Sequence, residues 1–225
     1  MLSLRQSLSL NSIRILGGWQ PSDEERLKAW YKYQTGITLN GSDVSAWADS
    51  STNSFNMVQT TESEQPPYNS GYIDFKPAYT HNLGSAIDIT LSGAFTIGIK
   101  LNIAAVGGVI IGDNTDVGEF FKLFSTTVLR IKIDNATADV QLDSGAWGDG
   151  YMVVTRDASN RIALWWNGVE QTTATPTQSG TVNIDAIGVR KTDLNAYDGS
   201  IREIQIFEAE STAITANVNS YLGAI

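Results

Sequence analysis

From residue 72 onward, apolar and polar side chains alternate in short runs broken by Gly, Asn and Asp. Alternation with a period of two puts successive side chains on opposite faces of an extended chain, so each run predicts a strand. The candidates are 72–75, 86–91, 95–103, 109–111, 120–124, 128–133, 139–142, 151–156, 162–166, 181–189 and 200–207. Many short strands between turns predict a sandwich or jelly roll. Within them, YMVVTRDASNRIALWWNGVEQ reads as an antiparallel hairpin closing on Asn167-Gly168, a pair suited to the left-handed backbone of a tight turn. DGSIREIQIF reads as a strand with one apolar edge. Trp165 and Trp166 are neighbours in a strand, so one faces in and the other out. The outward one is either covered by another element or lies on a binding face.

The first 71 residues read differently. Leu2, Leu4, Leu8, Leu10, Ile13 and Ile15 alternate with polar residues, with one phase slip after Leu10. That pattern predicts an extended arm rather than a helix, ended by Gly17-Gly18 and Pro21. An arm with one greasy edge lies along its own domain or docks on a neighbouring subunit by strand addition. Ser22 followed by Glu25 has capping-box spacing, which predicts a short helix or helical turn within 22–33. Asn40-Gly41 and the cluster around Ser50-Ser51-Thr52-Asn53 are turn chemistry. At the other end, Ser211 caps a helix with Ile214, Val218, Tyr221 and Leu222 at helical spacing. The expected organisation is an arm over 1–22, serving anchoring or oligomerisation, and one domain over 23–225.

Composition narrows the function. The 225 residues are 42% apolar, include no cysteine and one histidine, and carry a formal net charge of -9. Disulfides and thiolate metal sites are excluded. The charge balance disfavours nucleic acid and anionic membranes, and no basic stripe is visible along the chain. No apolar stretch is long enough to span a bilayer, and the N-terminus lacks the apolar block of a signal peptide.

Three segments carry a resemblance. LKAWYKYQTGITLNGSDVSAWADSSTNSFNMVQTTESEQPPY with the following YIDF, VVTRDASNRIALWWNGVEQ, and YDGSIREIQIFEAEST with the later YL resemble laminin G-like domains of the concanavalin A-like class. The resemblance implies an all-β fold: a concanavalin A-like jelly-roll β-sandwich with an extended N-terminal arm, a short N-terminal helix and a C-terminal helix. This class hosts lectins, glycosidases, adhesion modules and viral surface proteins, so the fold does not name the function. A narrower resemblance, carried by MLSLRQSLSL, Gly17-Gly18-Trp19 with Pro21, and WYKYQTGIT, is to virion structural proteins of tailed phages, marine cyanobacterial ones in particular. It implies a capsid or tail component made in the host cytoplasm and located in the virion. Its partners would be other virion proteins and copies of itself, joined through the arm.

The candidate chemistry is sparse. Glycosidases on this fold need paired carboxylates facing one side of a strand, and no Glu-Xaa-Asp-Xaa-Xaa-Glu run is present, so no enzyme activity is expected. Glu203 is expected on a solvated strand face. His81 is expected in a loop, solvent-exposed or locally bonded. Asp113, Asn114 and Asp116 offer the oxygen density of a calcium loop without its spacing, so a plain turn is the alternative. Trp147 and Tyr197, in Gly- and Asn-rich turns, together with Trp166, are the aromatic platforms expected for a host glycan. A carbohydrate-binding module or receptor-binding protein of the virion is the alternative to a structural component.

Overall fold

The computed structural model describes residues 18–114, 118–134, 136–190 and 194–225. Leu2, Leu4, Leu8, Leu10, Ile13 and Ile15 lie outside the described residues. In chain order the strands are β1 Leu27–Tyr31, β2 Ile37–Asn40, β3 Asp43–Trp47, β4 Met57–Val58, β5 Tyr68–Asn69, β6 Tyr72–Phe75, β7 Leu83–Leu91 and β8 Phe95–Ile103. They continue with β9 Val109–Gly112, β10 Phe120–Leu123, β11 Val128–Ile133, β12 Ala136–Gln141, β13 Asp149–Arg156, β14 Ile162–Trp166, β15 Val169–Gln171, β16 Val182–Ile187 and β17 Gly199–Phe207. Helix α1, Thr212–Ala224, closes the chain, with the Ser211 hydroxyl accepting from the Ile214 N–H at 3.1 Å.

Among the described residues these strands form two antiparallel sheets. One runs β15-β14-β13-β8-β17-β6-β5, with β1 also paired to β17. The other runs β12-β11-β10-β9-β16-β7-β4-β3-β2. The order jumps along the chain, as expected of a jelly roll rather than a meander. Alternate side chains from the two inner faces meet in one core, including Ile97, Ile99 and Leu101 from β8 and Leu129, Ile131 and Ile133 from β11. A smaller second core lies on the outer face of the first sheet, where Val153 and Phe207 meet Ile214, Val218 and Leu222 of α1. The helix comes close because β8 carries Gly98: a Cβ there would stand 2.5 Å from Val218 Cγ1 and 2.9 Å from Leu222 Cδ1.

Local signals were mostly obeyed. The β14–β15 hairpin turns on Asn167 at φ 51° and Gly168 at φ 81°, both left-handed. The Trp-Ala-Asp-Ser run places buried Trp47 in the core and makes Asp49 a hub. Its carboxylate accepts from the N–H groups of Trp30, Ser51 and Phe55 and from the Ser51 hydroxyl.

One element differs from expectation. Residues 22–33 hold no α-helix: Pro21–Asp23 is a 3-10 turn whose Asp23 carboxylate accepts from the Gln20 N–H, and Leu27–Tyr31 is β1. Tertiary pairing overrides the capping-box signal. β1 runs along β17, and Ala29, Trp30 and Tyr31 are all buried, which a single helix face could not achieve.

Candidate functional site

The outer face of β13–β15 and the flank of α1 enclose a groove of about 480 Å³, within the size range of small-ligand sites, roughly 300–1,000 Å³. Ile162 and Leu164 point into the core, so the register of β14 turns Ala163 and Trp165 outward. Trp165 is half-buried against the second core and lines the groove. Glu170, its cross-strand neighbour on β15, pairs with Arg161 at 3.3 Å. Asp157 sits at the β13–β14 turn, where its carboxylate accepts from the N–H groups of Ser159 and Arg161. Burial pushes the Glu210 carboxyl up from its ordinary value, and nearby Asp157 adds to the effect. The helix contributes Thr212, Thr215 and Asn219. The Thr215 hydroxyl and the Asn219 Oδ1 are buried without a hydrogen-bond partner. The groove thus has an aromatic side, a polar rim, three carboxylates and one guanidinium.

The aromatics singled out in the sequence lie elsewhere. Trp147 is 9% exposed, its indole N–H donates to the Ser125 carbonyl at 2.9 Å, and its ring meets that of Trp166 edge-on at 5.2 Å. Trp166 therefore faces inward, packed against the main core, and Trp165 is the outward partner. Tyr197 is 0% exposed, with its hydroxyl donating to the Asn102 carbonyl at 2.9 Å and its ring against Phe75. Turn composition suggested exposure for Trp147 and Tyr197, but the Gly- and Asn-rich segments fold these rings into the sandwich. Rings as buried as those of Trp147 and Tyr197 offer a sugar no platform, and the half-buried Trp166 is turned toward the core.

Of the candidate calcium ligands, Asp116 lies outside the described residues. Asp113 is gathered instead with Asp88 of β7 and Asp185 of β16, and a donor atom from each lies within 4.8 Å of the others. The Asn114 N–H donates to Asp185 Oδ1 at 2.6 Å. Burial raises the Asp185 carboxyl from 3.8 to about 6, and the charges of Asp113 and Asp88 push in the same direction. All three side chains offer carboxylate oxygens, the donor type that hard cations prefer. Asp88 and Asp185 were invisible in the sequence because the partners are far apart along the chain.

One further expectation changes, that for Glu203, and of the two open for His81 the structure takes local bonding. Glu203 is fully buried rather than solvated, and its carboxylate accepts from Trp30 Nε1 at 2.7 Å, the Tyr33 N–H at 3.0 Å and Gln205 Nε2 at 2.9 Å. A bulge in the β17–β8 register between Ile201 and Glu203 shifts its phase, so the simple alternation fails there. His81 is locally bonded and buried, with Nδ1 3.3 Å from the Asp74 carbonyl and its ring stacked on Tyr79.

No protein-family model and no curated protein matches the sequence. Solved structures share its fold. Domain 4 of AbnA, a GH43 extracellular arabinanase from Geobacillus stearothermophilus, solved in complex with arabinotriose, superposes with a TM-score of 0.60 at 16% identity, covering 88% of this chain and 98% of that one. The binding domain of Paraclostridial Mosquitocidal Protein 1 gives 0.53 at 12% identity, over 91% of this chain and 53% of that one. Trypanosoma rangeli sialidase gives 0.54 at 11% identity, over 89% of this chain and 33% of that one. At these identities the likeness establishes the jelly-roll sandwich and nothing finer.

Proposed function

We propose that the protein is a carbohydrate-binding module and that the groove between β14 and α1 takes a neutral oligosaccharide. The observation that carries this is the outward Trp165 in a groove rimmed by hydrogen-bonding side chains. A sugar ring has an apolar C–H face and a polar edge. It is held by an aromatic face beside amides, hydroxyls and carboxylates, the groups contributed here by Asn219, Thr212, Asp157, Glu170 and Glu210. Three carboxylates against Arg161 make the groove negative, which selects against anionic saccharides. The fold shared with an arabinotriose-bound domain over nearly the whole chain supports the same kind of function. The reading is of a binding protein, in which the groove's side chains contact the sugar and take no part in a reaction.

Calorimetric titration with a panel of neutral oligosaccharides, arabinotriose included, tests it. Expected is saturable binding without release of reducing ends, weakened roughly tenfold or more in Trp165→Ala, as for a central aromatic anchor. Absence of any neutral ligand at millimolar concentration, or unchanged binding by a folded W165A, overturns it.

A further inference from the structure

We propose that the outer face of the nine-stranded sheet is a second binding site, for the carboxylate or sulfate group of an anionic saccharide. Its side chains are far apart in sequence and meet through strand register. In VLRIKI of β11, Leu129, Ile131 and Ile133 enter the core, which turns Arg130 and Lys132 outward. Lys122 of β10 stands directly opposite Arg130. Arg190, beyond β16, reaches the same place: its Nε and Nη2 donate to Asn195 Oδ1 at 3.2 and 3.0 Å, and Lys122 Nζ lies 3.5 Å from that same oxygen. Two cations thus converge on one neutral acceptor, with a third across the strand.

Like charges directly opposite destabilise a sheet, so this grouping opposes folding unless something else is gained. Burial lowers the Lys122 ammonium from its ordinary value, and Arg190 and Arg130 lower it further. Among the described residues, the one carboxylate in an ion pair with any of these three is Asp139, which grips Arg130. The chain as a whole has 24 acids to 15 bases. A local excess of fixed cations on such a protein attracts an anion selectively instead of binding polyanions indiscriminately.

The guanidinium groups are also held in position. Arg130 makes a bidentate pair with Asp139, both bonds at 2.8 Å, and lies 3.6 Å from the ring centre of Phe124. Arg190 lies 4.6 Å from the ring centre of Phe120, which is nearly buried. Groups ordered before binding lose little entropy when a ligand arrives. Phe124 is 48% exposed, so a sugar ring whose acidic group reaches Lys122 and Arg190 would have an apolar surface beside it. Three cations are too few for the cumulative phosphate neutralisation that nucleic acid binding needs.

The assignment of a saccharide, rather than any anion, rests on the carbohydrate-binding reading, but this site is separate from the Trp165 groove. Calorimetry of the full chain uses trigalacturonate, its methyl ester and sodium sulfate as probes. Expected is binding of trigalacturonate that weakens with added salt and falls about tenfold or more in Lys122→Gln/Arg190→Gln. W165A should leave it unchanged. Equal affinity of W165A for trigalacturonate and its methyl ester, equal affinity for sulfate alone, or full retention by the double variant at an unchanged melting temperature each overturns the proposal. A double variant that does not fold leaves the salt dependence and the ester comparison in W165A to decide. If trigalacturonate binds here while no neutral sugar enters the groove, the groove reading fails and this one stands.

Discussion

Asp185→Asn should stabilise the protein at neutral pH and do nothing in acid. Asp185 is 5% exposed, accepts a hydrogen bond from the Asn114 N–H at 2.6 Å, and sits within a cluster that includes Asp88 and Asp113. Its carboxyl is raised from 3.8 in the unfolded chain to about 6 in the folded one, chiefly by burial. For an acid raised in this direction the native state keeps a proton that the unfolded state has released. The stability present below the unfolded value is therefore lost as pH rises through about 6. A shift of roughly two units corresponds to about 3 kcal/mol at ~1.4 kcal/mol per unit, and solvent around exposed Asp88 screens this to about 1–2 kcal/mol. Asparagine keeps the acceptor and removes the charge. Urea unfolding of both proteins in a chelator, so that no divalent cation neutralises the cluster, should show D185N ahead by about 1–2 kcal/mol near pH 7.5 and level with wild type near pH 4. A D185N that is less stable at neutral pH, or a difference that does not change with pH, would refute the reasoning.

The fold and its appendages give further tests. Arg156 is fully buried, with its guanidinium donating to the carbonyls of Gly93, Leu91 and Gly180. Arg156→Ala strands those acceptors and should cost about 3–5 kcal/mol, read as a drop in the urea midpoint. Gly98→Val drives a side chain into Val218 and Leu222 of α1, so it should cost about 1–3 kcal/mol and weaken neutral saccharide binding by moving the groove's helical wall, while trigalacturonate binding persists. Deleting residues 1–16 should leave the melting temperature unchanged where the arm docks on a neighbour by strand addition, and a lowered melting temperature would refute that docking. Size-exclusion chromatography of the same deletion then reads whether the arm joins copies or partners, as its alternating leucines suggest.

The sequence by itself determined the class of fold and most of its elements. Period-2 alternation located β6, β8, β11 and β14 to the residue, because a strand half-buried in a sandwich writes its two faces into neighbouring positions. Asn167-Gly168 fixed the β14–β15 turn, and Ser211 fixed the start of α1, since turn and cap chemistry are local. Adjacency showed that one of Trp165 and Trp166 faces out, but the expected platform was Trp166, and the phase set by buried Ile162 and Leu164 puts Trp166 inside and Trp165 outside. Other facts were decided by the tertiary structure. Segment 27–31 became β1 because β17 offered it an edge, against a helical cap signal. Trp147 and Tyr197, in turns that read as exposed, were drawn into the core, and Glu203 was buried at a bulge and satisfied by Trp30 and Gln205. The acidic cluster of Asp88, Asp113 and Asp185 and the cationic face of Lys122, Arg130 and Arg190 each collect residues from strands and loops distant in the chain. Local pattern records which face a side chain takes. Which side chains become neighbours across strands depends on sheet order and register, and these are set by the packing of the whole sandwich.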